Sequence, residues 1–457
     1  MEAADRIRHW QSSLRTGIMI PTLTTLIVLI LMSWGGTLIA DGAGAGSLPW
    51  AIYDQALYLS GLFAIGLMSL AMVLATRPAW LERPLGGMDR IYRIHKWSGI
   101  LAVGFAALHW LVEMSDDVIK ALFGRGGRAP EERFTGLLDA LRDAGEELGE
   151  FAIYLVIAMI ALALWKRFPY KFWRHIHRVM PVLYLMLAFH AAVLAPTAYW
   201  SQPVGLMLAL MLTAGSIAAG LSLTGLVGRG RQARGVVLSI STPTPDVTEV
   251  VCRLDGKWRG HRAGQFAFVS FDRFEGAHPF TIAGANRSDR SVSFQIKALG
   301  DYTRQLPNLV RVGQPVTVEG PYGRFELGRQ DRKARQIWVA GGIGITPFIA
   351  WLEALRSNPD SAPVADLHYS TRNRDHDPFV ARLEALSAEL PQITLHIHDA
   401  GSGEVLSAER LASLHQGSQA AEVWFCGPRG FGEQLRAGLS RAWGRRLRFH
   451  QEAFEMR

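Results

Sequence analysis

Residues 93-113 read RIHKWSGILAVGFAALHWLVE, and residues 173-195 read WRHIHRVMPVLYLMLAFHAAVLA. Both segments are apolar enough for membrane helices, yet they contain five histidines: His95 and His109 in the first, and His175, His177 and His190 in the second. At about 1.5 Å per residue, the two histidines of the first segment lie roughly 20 Å apart along a helix, and the outermost separations in the second are similar. Such a distance covers most of the hydrocarbon layer of a bilayer.

We predict that four of these histidines ligate haem. If the two helices are neighbours and run in the same direction, His95 faces His177 at one depth and His109 faces His190 at the other. Two facing imidazoles form a bis-histidine haem site. A lone buried histidine is more often a hydrogen-bonded packing residue, but ionisable groups inside a membrane are costly and tend to be functional. The quartet therefore predicts two haem b groups.

Helix geometry supports the first pair directly and the second through a kink. The 14 residues from His95 to His109 return to within about 40° of one helix face, whereas the 13 from His177 to His190 miss it by about 140°. Pro181 lies between the latter two, where it removes a helix hydrogen bond and bends the axis. We expect this kink to bring them onto one face. His175 fits a straight helix better and is the alternative ligand.

Composition divides the 457 residues into an apolar first half and an ordinary soluble second half. Six candidate membrane spans occupy residues 18-40, 57-76, 95-113, 151-165, 178-195 and 203-227. Basic residues concentrate before the first span, in the even-numbered loops and after the sixth span, so the positive-inside rule makes these parts cytoplasmic. The sequence thus predicts a multi-pass protein surrounded by lipid in the cell inner (plasma) membrane, with the first span as an anchor and not a cleaved signal.

The net charge of +8 is explained by the loop arginines, and no basic stripe interleaved with aromatic residues indicates a nucleic-acid partner. Cys252 and Cys426 lie far apart in sequence on the predicted cytoplasmic side, so we expect no disulfide. Two cysteines are also too few for an iron–sulfur cluster. In the loop 114-149, the stretch FTGLLDALRDAGEELGEF has helical periodicity and predicts a surface helix, either solvated or covering an acceptor site.

The pattern of apolar residues changes twice in the second half of the chain. Short alternating runs predict a small antiparallel barrel, and the strands that alternate with helices after it predict a parallel doubly wound sheet. The predicted fold class is therefore a membrane all-α six-helix bundle over 1-230, an antiparallel β-barrel over 231-330 and an α/β doubly wound domain over 331-457.

Two features of the last domain predict a nucleotide site. The turn Gly341-Gly342-Ile343-Gly344-Ile345-Thr346-Pro347 follows the first strand, and its glycines permit close backbone approach to a diphosphate. Thr346 suits the cap of the next helix and Pro347 its first position. Arg372 and Arg374 follow the second strand, where an adenosine ribose lies, and a guanidinium suits bidentate binding of a 2′-phosphate. We therefore favour NADPH over NADH.

Several stretches resemble one protein family. His278-Pro279-Phe280-Thr281-Ile282-Ala283-Gly284 resembles the flavin motif of the ferredoxin-NADP reductase superfamily, in its membrane NADPH oxidase and ferric reductase form. Further matching stretches follow in the family's order: 296-303 (IKALGDYT), 319-323 (EGPYG), the glycine turn at 341-347, 426-428 (CGP) and 453-457 (AFEMR). The resemblance covers nearly the whole chain.

The resemblance implies roles around FAD. His278 and Pro279 would lie along the flavin cofactor, and Thr281 would hydrogen-bond near the flavin N5. The stretch 296-303 would contact the pyrophosphate through backbone amides and through the Thr303 hydroxyl. FAD is thus an expected cofactor of the barrel.

The resemblance also implies a nicotinamide site, with Cys426 near the nicotinamide and Phe454 over the flavin face. Together with Thr281, these two are the expected catalytic positions. The full set of predicted cofactor contacts is His278, Pro279, Phe280, Thr281, Lys297, Gly300, Thr303, Gly341, Gly342, Gly344, Thr346, Pro347, Arg372, Cys426, Gly427, Pro428 and Phe454.

The expected activity is electron transfer from cytoplasmic NADPH through FAD and two haems to an acceptor outside the cell, because a flavin accepts a hydride and passes on single electrons. Oxygen, giving superoxide, is the expected acceptor, and a ferric chelate is the alternative. A protein partner is not required, although a separate extracytoplasmic reductase is another conceivable acceptor. A transporter with proton-relaying histidines is the alternative from a different class.

Overall fold

The structure is a computed structural model that describes residues 19–41, 46–128, 132–165, 170–272, 275–331, 333–415 and 420–452. The chain divides into two compact units, Met1–Val227 and Gly228–Arg457. The described part of the first unit is helical, whereas the second unit contains two β-sheets.

The helices of the first unit follow one another with short connections. They are α1 (Met19–Asp41), α2 (Leu48–Ala75), α3 (Ala79–Leu85), α4 (Met88–Met114), α5 (Asp116–Phe123), α6 (Leu137–Leu164), α7 (Tyr170–His177), α8 (Met180–Leu194) and α9 (Pro203–Leu223). Within the described ranges, five segments are long and apolar enough to cross a membrane: Met19–Ala40, Leu48–Ala75, Met88–Phe123, His175–Leu194 and Pro203–Leu223.

Helix α6 joins two predicted helical segments. The predicted surface helix within 114-149 and the predicted span 151-165 are one continuous helix of 28 residues. Six of the 14 residues in its first half are charged, and its apolar run begins only at Phe151, so composition alone separates what the backbone joins. The chain has no proline between 137 and 164 to end a helix there. The helix predicted within 114-149 is thus present as the first half of α6, and the fourth predicted span continues it.

The second histidine segment is interrupted where the proline predicted a kink. Helix α7 ends at His177, and α8 begins at Met180 with Pro181 in its first turn. Tight turn bonds link the two helices, with the Val179 amide donating to the Ile176 carbonyl at 2.9 Å. A proline is tolerated in a first turn because no helical partner is expected there for its missing N–H. The interruption allows α7 and α8 to present their histidines independently.

The first sheet of the second unit is an antiparallel barrel. Its strands are β1 (Gln232–Thr244), β2 (Val247–Leu254), β3 (Phe266–Ser270), β4 (His278–Thr281), β5 (Ser291–Lys297) and β6 (Pro315–Tyr322), in the order β4-β3-β6-β1-β2-β5. A bridge between Ile282 and Phe294 joins the two ends of this order and closes the sheet. Helix α10 (Asp301–Leu309) follows β5.

The second sheet is parallel, with strands β7 (Arg335–Gly341), β8 (Ala365–Thr371), β9 (Ile393–Asp399), β10 (Ala421–Cys426) and β11 (Leu447–Glu452) in the order β11-β10-β7-β8-β9. One apolar cluster packs helices α11 (Thr346–Arg356) and α12 (Val380–Ala388) on one face. Another packs α13 (Ala408–Leu414) and α14 (Arg429–Trp443) on the other face. The predicted fold class is thus confirmed: a helical apolar part, an antiparallel barrel and a doubly wound parallel sheet.

Candidate functional site

Two pairs of histidines face each other inside the first unit. The ring centroids of His95 and His177 lie 6.2 Å apart, and those of His109 and His190 lie 6.3 Å apart. Two imidazoles on opposite sides of one metal ion have centroids about 6 Å apart, because a metal–nitrogen bond is about 2 Å and each ring nitrogen lies about 1.1 Å from the ring centre. Both pairs therefore have the spacing of a bis-histidine metal site. The alternative ligand, His175, is exposed on α7, and it is His177 that faces α4.

Backbone carbonyls fix the protonation of three of the four rings. Each Nδ1 lies 2.9 Å from a carbonyl oxygen: Ala71 for His95, Leu57 for His109 and Gly145 for His190. A carbonyl only accepts hydrogen bonds, so Nδ1 carries the proton and Nε2 keeps its lone pair for a metal. Sequence reasoning missed these partners because any residue supplies a carbonyl, and only the packing of α2 and α6 against the histidines selects the three.

Tyr184 lies on α8 between the levels of the two pairs and is buried. Its hydroxyl is 2.9 Å from the Ser69 hydroxyl of α2. On α9, Gly215 leaves room for the phenol, since a Cβ at this position would overlap the ring. Three helices thus hold the tyrosine ring in one place within the bundle.

In the barrel, Thr281 ends β4 and is buried, with a relative exposure of 5%. Its hydroxyl has no hydrogen-bond partner among the residues that the structure describes. A buried hydroxyl without a partner costs free energy. A ligand bound at this strand end would supply the missing partner, and the role of Thr281 beside a flavin stays a prediction.

Three aromatic rings, two on β4 and one on α10, are stacked with nearly parallel planes. Tyr302 stacks on His278 with centroids 4.6 Å apart and planes 16° apart, and Phe280 lies nearly parallel to the same imidazole at 17°. Burial, together with the carboxylates of Asp272 and Glu275, raises the pKa of Tyr302 to about 12, so its phenol stays neutral. A planar conjugated ring system is a suitable ligand for the outer face of such a stack.

The stretch after β5 differs from expectation in one respect. The Thr303 hydroxyl accepts hydrogen bonds from the amides of Leu299 and Gly300, both at 3.0 Å, and thereby shapes the turn that begins α10. The Thr303 hydroxyl and these two amides are thus bonded to each other within the loop, and the expected pyrophosphate contact of this stretch stays a prediction. Lys297 pairs with Asp246 at 3.3 Å.

The two expected nucleotide turns meet at the carboxyl edge of the parallel sheet. Strands β7 and β10 are neighbours, with Ala340 opposite Cys426. A Cβ at Gly344 would overlap the Cys426 carbonyl, and one at Gly341 would lie 3.0 Å from Cδ of Pro428. The glycines thus allow the turns that follow these two strands to pack closely, and ligands of open α/β sheets bind at this edge.

The start of α11 corrects the expected role of Thr346. Its hydroxyl donates to the Ile343 carbonyl at 3.1 Å and does not accept from a helix amide. The preceding turn already bends through Gly342, whose φ of +53° suits glycine. Pro347 lies in the first turn of the helix, as predicted.

The remaining predicted contacts of the nucleotide site differ in burial and bonding. Cys426 is fully buried, and this burial raises the pKa of its thiol well above the ordinary value, so the thiol is neutral. Arg372 is exposed just after β8, whereas the guanidinium of Arg374 bonds Glu384 at 2.7 Å. Phe454 lies outside the described residues.

Two family matches cover the regions just described. Residues 60–188 match the family described as ferric reductase like transmembrane component, and residues 234–326 match the family described as FAD-binding domain. The chain combines a ferric reductase-like transmembrane domain with an FAD-binding domain. It is therefore a membrane protein with the domains of an oxidoreductase, and the resemblance drawn from its motifs is confirmed at this level.

Curated relatives match only parts of the chain. The carnitine monooxygenase reductase subunit of Escherichia coli (strain K12) is 32% identical over 141 residues, which are 30% of this chain and 40% of the relative. Respiratory burst oxidase homolog protein E of Arabidopsis thaliana is 26% identical over 221 residues, 41% of this chain and 22% of the relative. The chain thus spans less than half the length of these relatives.

A solved structure with wider coverage is the flavohemoglobin from Malassezia yamatoensis with bound FAD and heme. The similarity covers 89% of this chain and 99% of that one, at 16% identity and a TM-score of 0.47.

Proposed function

We propose that this protein transfers electrons across the cell inner membrane, from cytoplasmic NADPH through FAD and two b-type haems to an acceptor on the opposite side. The observation that carries the proposal is the facing placement of two histidine pairs at 6.2 and 6.3 Å on membrane-length helices. Bound FAD would supply the exchange between a two-electron hydride donor and one-electron haem acceptors.

The histidines would hold the haems through Nε2. His95 and His177 would hold one haem, and His109 and His190 the other, with the carbonyl bonds at Nδ1 keeping the ligating lone pairs available. Such bonds also raise ligand basicity, which tunes a metal centre. The protein's contribution to the electron transfer is therefore to orient the four rings.

The proposed orientation of the helices in the membrane rests on the distribution of charged residues. The start of α4 has three basic residues near His95 in sequence, namely Arg90, Arg93 and Lys96. Glu113 follows His109 near the end of the helix. Basic residues stay on the cytoplasmic side of a membrane. The level of His95 is accordingly proposed as the cytoplasmic one, where the dehydrogenase unit would donate electrons.

The second unit would bind the electron donor. Thr281 would place its buried hydroxyl on the flavin, and the stacked His278 and Tyr302 would lie beside the cofactor. The glycine turn at 341-347 would accept the nucleotide diphosphate. A 2′-phosphate distinguishes NADPH from NADH. Arg372 would bind this phosphate, because the guanidinium of Arg374 already bonds Glu384.

Oxygen, reduced to superoxide, is the acceptor that we propose first. Reduction at an exposed haem edge needs no dedicated acid or base from the protein, and one relative carries the name of a respiratory burst oxidase homolog. A ferric chelate is the second candidate, favoured by the name of the family that matches residues 60–188. Neither acceptor requires a protein partner.

The test uses the purified full-length protein in detergent with added FAD. We expect two haems per chain, anaerobic reduction of the haem by NADPH, and rapid reoxidation on mixing with oxygen, with superoxide as product. Faster reoxidation by a ferric chelate would instead identify a ferric reductase. A chain without a haem absorbance would contradict the proposal and favour the transporter alternative. Haem that NADPH does not reduce would contradict the proposed electron path. If reoxidation of the haem required an added protein, the proposal that no protein partner is needed would be wrong.

A further inference from the structure

The imidazole ring of His190 lies against Gly149 of α6 where it reaches its hydrogen-bond acceptor. Its Nδ1 donates to the Gly145 carbonyl of α6 at 2.9 Å, and the residue four positions later in α6 is Gly149. A Cβ at Gly149 would lie 2.5 Å from Cε1 of the imidazole and 3.2 Å from its Cγ, so no other residue type fits without displacing the ring. The imidazole occupies the place that a side chain at this position would take.

His109 has the same arrangement on a different helix. Its Nδ1 donates to the Leu57 carbonyl of α2 at 2.9 Å, and the residue four positions later is Gly61. A Cβ at Gly61 would lie 3.2 Å from both Nδ1 and Cε1, a close contact that a small shift of the ring could relieve. The steric constraint is thus present at both rings, and it is tighter at His190.

Helix geometry explains the repeated spacing. A helical carbonyl already accepts from the amide four residues later, but its second lone pair is free. Side chains on a helix point toward its N-terminus, so the residue four positions later partly covers that carbonyl. A glycine at this position opens the carbonyl to a group from a neighbouring helix.

The other histidine pair is built differently. His95 donates to the Ala71 carbonyl, and the residue four positions later is Ala75, so a methyl group is compatible with its approach. The ring planes of His95 and His177 meet at 64°, whereas those of the pair at the glycines meet at 89°. Glycine is therefore not a general requirement for such bonds but belongs to one pair.

We propose that Gly61 and Gly149 are positioning residues for the haem held by His109 and His190, and that they fix the nearly perpendicular orientation of these two imidazoles. The inference rests on the proposed haem ligation and adds the residues that set the geometry of one of the two sites. Because the relative orientation of axial imidazoles affects the ligand field of the iron, the glycines would influence the electron paramagnetic resonance spectrum and reduction potential of this haem alone.

The test compares three alanine variants of the full-length protein. Gly149→Ala introduces the severe contact and Gly61→Ala the mild one. Gly104→Ala is the matched control, because it changes a helical glycine between the ligands of α4 where a Cβ would meet nothing within 4 Å. Alanine is a better helix former than glycine, so a loss in the first two variants cannot be attributed to helix propensity.

The measurements are haem content per chain, the low-temperature electron paramagnetic resonance spectrum of the ferric protein, and reductive titration. We expect Gly149→Ala to lose one of two haems, and Gly61→Ala to keep both while the signal and potential of one haem shift. Gly104→Ala should match the wild type. In each variant the signal of the haem at His95 and His177 should be unchanged.

Wild-type haem content and spectra in Gly149→Ala would overturn the inference. If that variant does not accumulate, Gly61→Ala decides: a wild-type spectrum, or an equal change in both haem signals, would overturn the inference. A wild-type protein that binds no haem would contradict the proposed function itself. This result is distinguishable from a failure of the inference about the two glycines, in which the wild type still binds haem.

Discussion

The imidazoles of His109 and His190 lie 6.3 Å apart between centroids, with planes at 89°, although 80 residues of sequence lie between them. Since an iron ion between them would depend on both rings, replacing either should remove one haem. We expect His190→Leu to halve the haem content and to lower acceptor reduction by at least about 100-fold, because losing a group that merely supports a metal ligand already costs about 10- to 100-fold. Reduction of FAD by NADPH should be unchanged in stopped-flow measurements. Unchanged turnover with the acceptor would contradict the proposed electron path.

A second prediction separates two neighbouring histidines. His177 faces His95, whereas His175 is exposed on the same short helix. His177→Leu should therefore abolish binding of one haem, and His175→Leu should retain both haems. Haem extraction and quantification per chain checks this. Haem loss in the His175 variant with full retention in the His177 variant would reverse the assignment.

The hydroxyl of Thr281 provides a third prediction. It is buried with no partner among the described residues, so its removal should cost only a bond to the flavin. A hydrogen bond of about 1 to 1.5 kcal/mol corresponds to roughly tenfold slower flavin reduction in Thr281→Ala. Haem content should not change, and Thr281→Ser should retain most of the rate. A wild-type rate in the alanine variant would show that the hydroxyl does not contact the cofactor.

The choice of nucleotide gives a fourth prediction. Arg372 is exposed beyond β8, and a charge-assisted bond to a 2′-phosphate contributes about 1.5 to 3 kcal/mol. Arg372→Ala should raise the KM for NADPH by about 10- to 100-fold and leave the KM for NADH unchanged. Arg374→Ala is the control, since this guanidinium already bonds Glu384. Equal effects of Arg372→Ala on both nucleotides would argue against 2′-phosphate binding.

A cluster of histidines in the parallel sheet leads to a prediction about pH. His368 on β8 lies 2.8 Å from His415 and 3.0 Å from His398, counted between ring nitrogens, and all three are buried. Burial is the main cause that lowers the pKa of His398 and His415 to about 4, and it lowers that of His368 to about 2. The other titratable and charged groups that face the cluster are His396, Asp366, Arg335, Glu404 and Arg410.

These shifts make the dehydrogenase unit sensitive to acid. An unfolded histidine has a pKa of about 6.5, so below that pH the unfolded chain binds protons that the folded cluster excludes. Stability should therefore be full above about pH 6.5 and should fall as the pH approaches 4. Thermal unfolding of the full-length protein should show a lower Tm at pH 5 than at pH 7.5. His398→Leu should reduce this difference, while the exposed His376→Leu should not; equal differences in both would contradict the role of the cluster.

Much of the fold and of the candidate site was predictable because its signals are carried by side chains. The four histidines stand out against an apolar background, and Pro181 marks the interruption that separates α7 from α8. The alternation of strands and helices after 335 likewise follows from hydrophobic periodicity. These features are local, so a single sequence contains them.

Other features depend on packing and could not be predicted. The carbonyls of Leu57 and Gly145 became acceptors only through the contact of helices distant in sequence. The continuity of α6 was hidden by a change from charged to apolar residues within one helix. Thr303 carries the expected hydroxyl, but its geometry directs the bond to its own loop. For the two carbonyls and for Thr303, the residue type was visible while its partner was not.

The most direct test of the account asks whether electrons cross the membrane. Full-length protein would be reconstituted into sealed vesicles that enclose an acceptor unable to pass the bilayer, such as ferricyanide, and NADPH would be added outside. We predict that the haem becomes reduced and that the enclosed acceptor is then reduced without leakage of the vesicles. Consumption of NADPH while the enclosed acceptor stays oxidised, until detergent opens the vesicles, would contradict transmembrane electron transfer.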